Sequence, residues 1–136
     1  MSEALRLYAG TQEGMVILRG VGDIWTSMRG SREYTSFFQD QVVDSVWGCR
    51  GNPEVVYAGV TQDGLYRTRD EGLHWQRVLE GDIRWVTVDP TEDRVVYAGT
   101  EPVKLFRSED GGDNWEELDG LGELPPEVQH HWWFPY

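Results

Sequence analysis

Short runs of alternating apolar and polar residues recur along this chain, separated by Gly, Pro, Asn or Asp. Period-two runs of this length predict β-strands. One set is especially clear. Ile83-Arg84-Trp85-Val86-Thr87-Val88 closes at Asp89-Pro90, and Arg94-Val95-Val96-Tyr97-Ala98-Gly99 follows. Then come Lys104-Leu105-Phe106-Arg107-Ser108 and a last run from Trp115 to Leu118. We label these strands A to D. No window of useful length carries a helical period.

The set repeats. Leu7-Tyr8-Ala9-Gly10-Thr11, Val56-Tyr57-Ala58-Gly59-Val60 and Val96-Tyr97-Ala98-Gly99-Thr100 share one start, and each is followed by an apolar pair and a polar turn that ends in Trp. The second and third copies superpose with a constant offset of 40. A period of this size signals one supersecondary unit per repeat, and four short antiparallel strands per unit make a β-propeller blade. The expected fold is therefore all-β: a single partial propeller domain over 1–136, with about three four-stranded blades. Blade 1 is expected at about 5–30, blade 2 at 42–80, blade 3 at 82–119 and a tail at 120–136. Residues 5–10 match 94–99, so the first blade begins at strand B and lacks its own strand A. Trp85 and Trp47, taken as its counterpart, are expected on inner strands.

The turns between strands C and D read Thr68-x-Asp70-x-Gly72-x-x-Trp75 and Ser108-x-Asp110-x-Gly112-x-x-Trp115. Asp can accept backbone N–H groups within such a turn, and the hydroxyl two residues earlier can bond locally too. Gly72 and Gly112 permit positive φ, and the Trp buries a large ring. Blade 1 keeps Gly22 and Trp25 but has Leu18 and Gly20 in place of the hydroxyl and the carboxylate. This pattern resembles the Asp-box, or BNR repeat. With Tyr97-Ala98-Gly99-Thr100-Glu101-Pro102, Leu105-Phe106-Arg107-Ser108 and Trp115, the chain is similar over nearly its whole length to bacterial WD40/YVTN/BNR-like repeat proteins of the exo-α-sialidase-like type. The resemblance implies that the Asp-boxes lie away from any ligand face. They are structural, although Asp, Ser and Trp side by side suggest catalysis.

Two functions fit that resemblance. One is a non-enzymatic interaction or scaffold module. The alternative is a sialidase-like, carbohydrate-active propeller, either a hydrolase or a glycan binder. A sialidase-like site needs three Arg converging on a carboxylate, a Tyr nucleophile backed by Glu, and an Asp acid. Arg67 and Arg107 are in phase with the repeat and read as structural, as do Tyr8, Tyr57 and Tyr97. No catalytic residue is assigned. His130 and His131 are adjacent, so in an extended segment they face opposite ways, poor geometry for one ion. No metal and no cofactor is expected.

Unrepeated sequence marks the candidate binding surface. The stretch between strand D of blade 1 and strand A of blade 2 contains Arg29, Arg32, Tyr34, Phe37 and Phe38, and the tail contains His130, His131, Trp132 and Trp133. Both leave the blades on the face opposite the Asp-box turns, where loops carry function. The competing reading is that these aromatics cover sheet ends.

Composition narrows the partners. The 136 residues hold 24 Asp+Glu against 12 Lys+Arg, a formal charge of -12. That excludes nucleic acid and anionic membranes, which need clustered cations. It leaves a glycan or a protein as ligand. Cys49 is the only cysteine and is expected to be buried, and the start of the chain shows no leader pattern, so a cytoplasmic location is expected. Three blades fall short of the roughly 4–8 of a closed ring. A homo-oligomer is therefore expected, with a two-fold pair favoured.

Overall fold

The computed structural model describes residues 5–27 and 38–119, and all of their regular structure is β. The strands form three antiparallel sheets. The first holds β1 (Leu5–Thr11), β2 (Gly14–Val21) and β3 (Ile24–Ser27). The second holds β4 (Val43–Gly48), β5 (Val56–Val60), β6 (Asp63–Thr68) and β7 (Gln76–Gly81). The third holds β8 (Ile83–Val88), β9 (Val96–Thr100), β10 (Leu105–Ser108) and β11 (Glu116–Glu117). Each strand pairs with its neighbours in sequence, giving the meander of a propeller blade. Among the described residues the first sheet has no strand inside β1.

Strand pairing corrects one sequence expectation. Trp47 pairs with Tyr57 as Thr87 pairs with Tyr97, whereas Trp85 pairs with Gly99 as Ser45 pairs with Gly59. Trp47 and Trp85 both lie on inner strands, β4 and β8, but they are not counterparts. Trp47 corresponds to Thr87, and Trp85 to Ser45. The offset of 40 therefore continues through the inner strand, and the insertion before β4 is two residues shorter than the tryptophan spacing suggests.

The core lies between consecutive sheets, in two slabs. Phe38, Val43, Ala58 and Val60 form one, joined by Met15 of the first sheet. Tyr57 and Leu65 of the second sheet meet Ile83, Val86, Val88, Val96 and Ala98 of the third in the other. In each Tyr-Ala-Gly segment, period-two alternation turns Ala to the preceding sheet and Tyr and Gly to the following one. The glycine is where the next inner strand arrives. A Cβ on Gly10 would stand 2.5 Å from the Val43 carbonyl oxygen, and one on Gly59 would stand 2.8 Å from Ile83 Cγ2. Val43 and Ile83 are the same repeat position.

The two C–D turns are built alike. Thr68 Oγ1 donates to Asp70 Oδ1 at 2.8 Å and accepts the Gly72 N–H at 2.9 Å. Ser108 Oγ does the same with Asp110 and Gly112, at 2.8 Å each. The aspartates accept the N–H of His74 and Asn114, and each Trp Nε1 donates to the glycine carbonyl. Gly72 and Gly112 have φ of 91° and 94°. Thr68 and Ser108 are buried.

Each turn also receives the blade before it. Tyr57 OH donates to the Gly111 carbonyl at 2.8 Å, and Arg67 donates to that carbonyl at 2.6 Å and to Asp113 Oδ1 at 2.8 Å. Arg67 is 5% exposed, so these bonds satisfy a covered guanidinium, while Asp113 stays half exposed. At the previous junction Arg6 forms an ion pair with Glu71, the residue in phase with Gly111.

Ser108→Ala and Thr68→Val should each lower stability by about 1–3 kcal/mol in urea unfolding, because a buried N–H loses its acceptor. Acid should expose the other half of the turn. The Asn114 amide, the Asn114 N–H and the Ser108 hydroxyl hold the Asp110 carboxyl down at about 2, against an ordinary 3.8. A depressed carboxylate stabilises the fold above its unfolded pKa and loses that effect as pH falls through the folded one. Asp110→Asn should therefore flatten the fall in stability between about pH 4 and pH 2, measured by unfolding at stepped pH.

Candidate functional site

The end of the blades away from the C–D turns gathers the starts of the inner strands and the loops between strands B and C. Asp44 on β4 and Arg84 on β8 hold the same repeat position with opposite charge. Arg84 donates from one nitrogen to Asp44 at 3.2 Å and from another to Asp82 at 3.0 Å. Thr61 Oγ1 donates to Asp44 at 2.9 Å, and the Gln62 N–H donates to Asp82 at 2.8 Å. The result is a charged belt that links adjacent blades where their inner strands begin. The positive φ of Gln62, 58°, places its N–H on this belt.

A second cluster lies beside it in the second blade. Asp63 accepts Gln41 Nε2 at 2.9 Å, Tyr66 OH at 2.8 Å and Arg77 at 3.1 Å. Burial acts to raise the Asp63 carboxyl, but the bonds from Gln41, Tyr66 and Arg77 outweigh it and hold the group below its usual range. Asp63 is thus a charged acceptor, the opposite of a general acid. Burial, and then the Asp63 hydrogen bond and charge, push the Tyr66 phenol up.

The other reactive groups are quiet. Burial and the Asp93 charge push the Cys49 thiol up to about 11, leaving a protonated, unreactive side chain. Burial, with the nearby Cys49, pushes Tyr57 up to about 12. Among the described residues, no group of three His, Cys, Asp or Glu is arranged to hold a metal ion.

Of the residues nominated from sequence, Arg29, Arg32, Tyr34, Phe37, His130, His131, Trp132 and Trp133 lie outside the described residues. Phe38 is described, and here the expectation is corrected. Its ring is buried and meets Tyr66 and Trp75 edge-on, with centroids 4.8 and 5.4 Å apart. It covers the end of the second sheet rather than facing a ligand. Sequence reasoning missed Asp44, Asp82 and Arg84. Their signal was the reversal of charge at one repeat position, and aligning Trp47 with Trp85 shifted the inner strands by two residues and hid it.

No family model matches the chain, and no curated protein matches it. Solved structures do share its fold. YCF48 bound to D1 peptide is 17% identical with a TM-score of 0.58, over 82% of this chain and 36% of that one. An ancestral GH74 enzyme is 20% identical with a TM-score of 0.63, over 85% and 17%. The GH74 xyloglucanase of Xanthomonas campestris is 22% identical with a TM-score of 0.60, over 86% and 22%. At these identities the likeness is one of fold: the chain is built as propeller blades. It spans little more than a third, at most, of the length of these structures.

Asp63→Asn should bring the Tyr66 phenol back toward its ordinary pKa near 10, seen as tyrosinate absorbance appearing at lower pH in the variant. An unmoved titration would show that burial alone sets it.

Proposed function

We propose that this chain is a non-enzymatic propeller module of interaction type, which binds a protein segment at the loop end of its blades. The observation that supports it most is the belt of Asp44, Arg84 and Asp82. The Asp-box-like turns direct their hydroxyls and carboxylates into their own hairpins and offer their outer groups to the neighbouring blade. The belt instead is made of residues that break the repeat, and it lies where the inner strands converge. On a chain of net charge -12, a carboxylate-rich rim suits an extended segment bearing Lys or Arg. The peptide held by the YCF48 neighbour is consistent with a protein ligand.

The carbohydrate-active alternative draws on the GH74 neighbours and on the sialidase-like resemblance. It needs arginines free to converge on an anionic substrate. At this end Arg77 and Arg84 are paired with Asp63, Asp44 and Asp82, and the carboxylates outnumber the guanidinium groups, so the charge left over is negative, which favours the interaction module. We also propose that the chain acts as a homo-oligomer, with a two-fold pair favoured, since its outer sheets present apolar faces to solvent.

An array of extended peptides tests the reading. Basic sequences should be retained, and Asp44→Asn with Asp82→Asn should weaken retention by about tenfold while raising its salt tolerance. Turnover of a fluorogenic sialoside or of xyloglucan, or retention indifferent to both substitutions, would overturn it.

A further inference from the structure

The repeat allows each junction between blades to be compared with the next. At the junction of the second and third sheets, Tyr57 and Arg67 grip the following turn through the Gly111 carbonyl and the Asp113 carboxylate. Tyr97 and Arg107 hold those same positions in the third sheet, on its outward flank. There the Arg107 guanidinium lies 5.9 Å over the Tyr97 ring and pairs with Glu109, and its buried Nε has no hydrogen-bond partner among the described residues. Arg107 is 34% exposed where Arg67 is nearly covered. The flank thus repeats a gripping surface with nothing described in its grip.

The opposite flank belongs to the first sheet. Pairing places Leu5, Leu7, Leu18, Gly20 and Trp25 on one face, turned away from the second sheet. In the second and third sheets that face is the one covered by the preceding blade, through Ala58 and Ala98. In the first sheet Leu5, Leu7 and Trp25 are 63%, 49% and 47% exposed. In sequence its turn carries Asp23 two residues before Trp25, as Asp113 stands two before Trp115, and in the structure Asp23 lies in a tighter hairpin, with Val21 paired to Ile24 and Gly20 to Trp25.

We propose that these two flanks dock on each other between two copies of the chain, with Arg107 and Tyr97 of one copy receiving the Val21–Asp23 turn of the other. This rests on the two-copy reading above and specifies its contact. Charge complementarity supports it, since Arg107 meets Asp23 where Arg67 meets Asp113. Phase supports it as well, because the apolar face around Leu7 and Trp25 would meet Leu105, Tyr97 and Trp85, continuing the pattern of the two internal junctions. Trp85 adds a third argument. At those junctions a Cβ on the strand B glycine would meet the next inner strand, at Val43 for Gly10 and at Ile83, beside the blade's own Ser45, for Gly59, while at Gly99 only Trp85, in the Ser45 position, lies within 4 Å among the described residues. Trp85, where the second blade has Ser45, sets a half-exposed indole beside the place at which an inner strand arrives at the other junctions. The blade that fits there is one with no inner strand to insert, and among the described residues the first sheet has none. Two such contacts related by a two-fold axis join the three described sheets of each copy to those of the other.

Light scattering on a sizing column, over about a hundredfold dilution series, tests both levels. The expected species has twice the 15.7 kDa chain mass. Arg107→Glu and Asp23→Arg should each raise the dissociation constant by at least ~10-fold, and the double variant should regain the pair. Glu109→Gln, which frees Arg107, should not weaken it. Circular dichroism melts of the single variants separate lost docking from lost folding, and recovery in the double variant needs a folded chain. A monomer throughout the series would overturn the two-copy reading along with the contact. A dimer indifferent to both single substitutions, or one the double variant fails to restore, would overturn the contact while leaving the pairing intact.

Discussion

The close approach of consecutive sheets depends on one missing atom per blade. Gly10 and Gly59 let the first residue of the next inner strand rest against the backbone of strand B. A methyl group there would meet a carbonyl oxygen in one case and an isoleucine side chain in the other, well inside van der Waals distance. Because the sheets approach this closely, small Ala58 and Ala98 fill the facing positions, and Val, Ile and Leu close the slab around them. The Tyr-Ala-Gly triplet is therefore a spacing device. Its tyrosine, on the same face as the glycine, is then near enough to reach the following turn.

That turn is made rigid before it is gripped. Thr68 or Ser108 joins the carboxylate to the glycine N–H, and the indole closes on the glycine carbonyl. Held in this way, each turn presents a carboxylate to the preceding blade, and the later one adds the Gly111 carbonyl. At one junction that group is the Asp113 carboxylate, met by Arg67, and at the other it is the Glu71 carboxylate, met by Arg6. The residues that resemble a catalytic set are thus occupied in holding their own turn.

Much of the fold was legible in the sequence, since period-two runs, turn residues and a constant offset all express backbone geometry that any reader of the chain can count. Strand order among the described residues and the bonds of Asp70 and Asp110 follow from those features. The candidate site was far less legible. Asp44, Asp82 and Arg84 stand close only because neighbouring inner strands converge, a relation between repeats that strand patterns within one repeat do not express. Two tryptophans at unequal positions then masked the one clue, the charge reversal. Phe38 misled for a related reason: its place in unrepeated sequence suggested a loop contact, while its burial depends on Tyr66 and Trp75, far along the chain.

The opposed charges of Asp44 and Arg84 also bear on how such a molecule could be assembled from parts. Two blades with identical sequences would set like charges next to each other at this position, Asp against Asp or Arg against Arg. A ring made by copying a consensus blade would carry that repulsion at every step around its axis. Here the second and third blades are marked by opposite signs, so their order is written into their chemistry as well as into the chain that joins them.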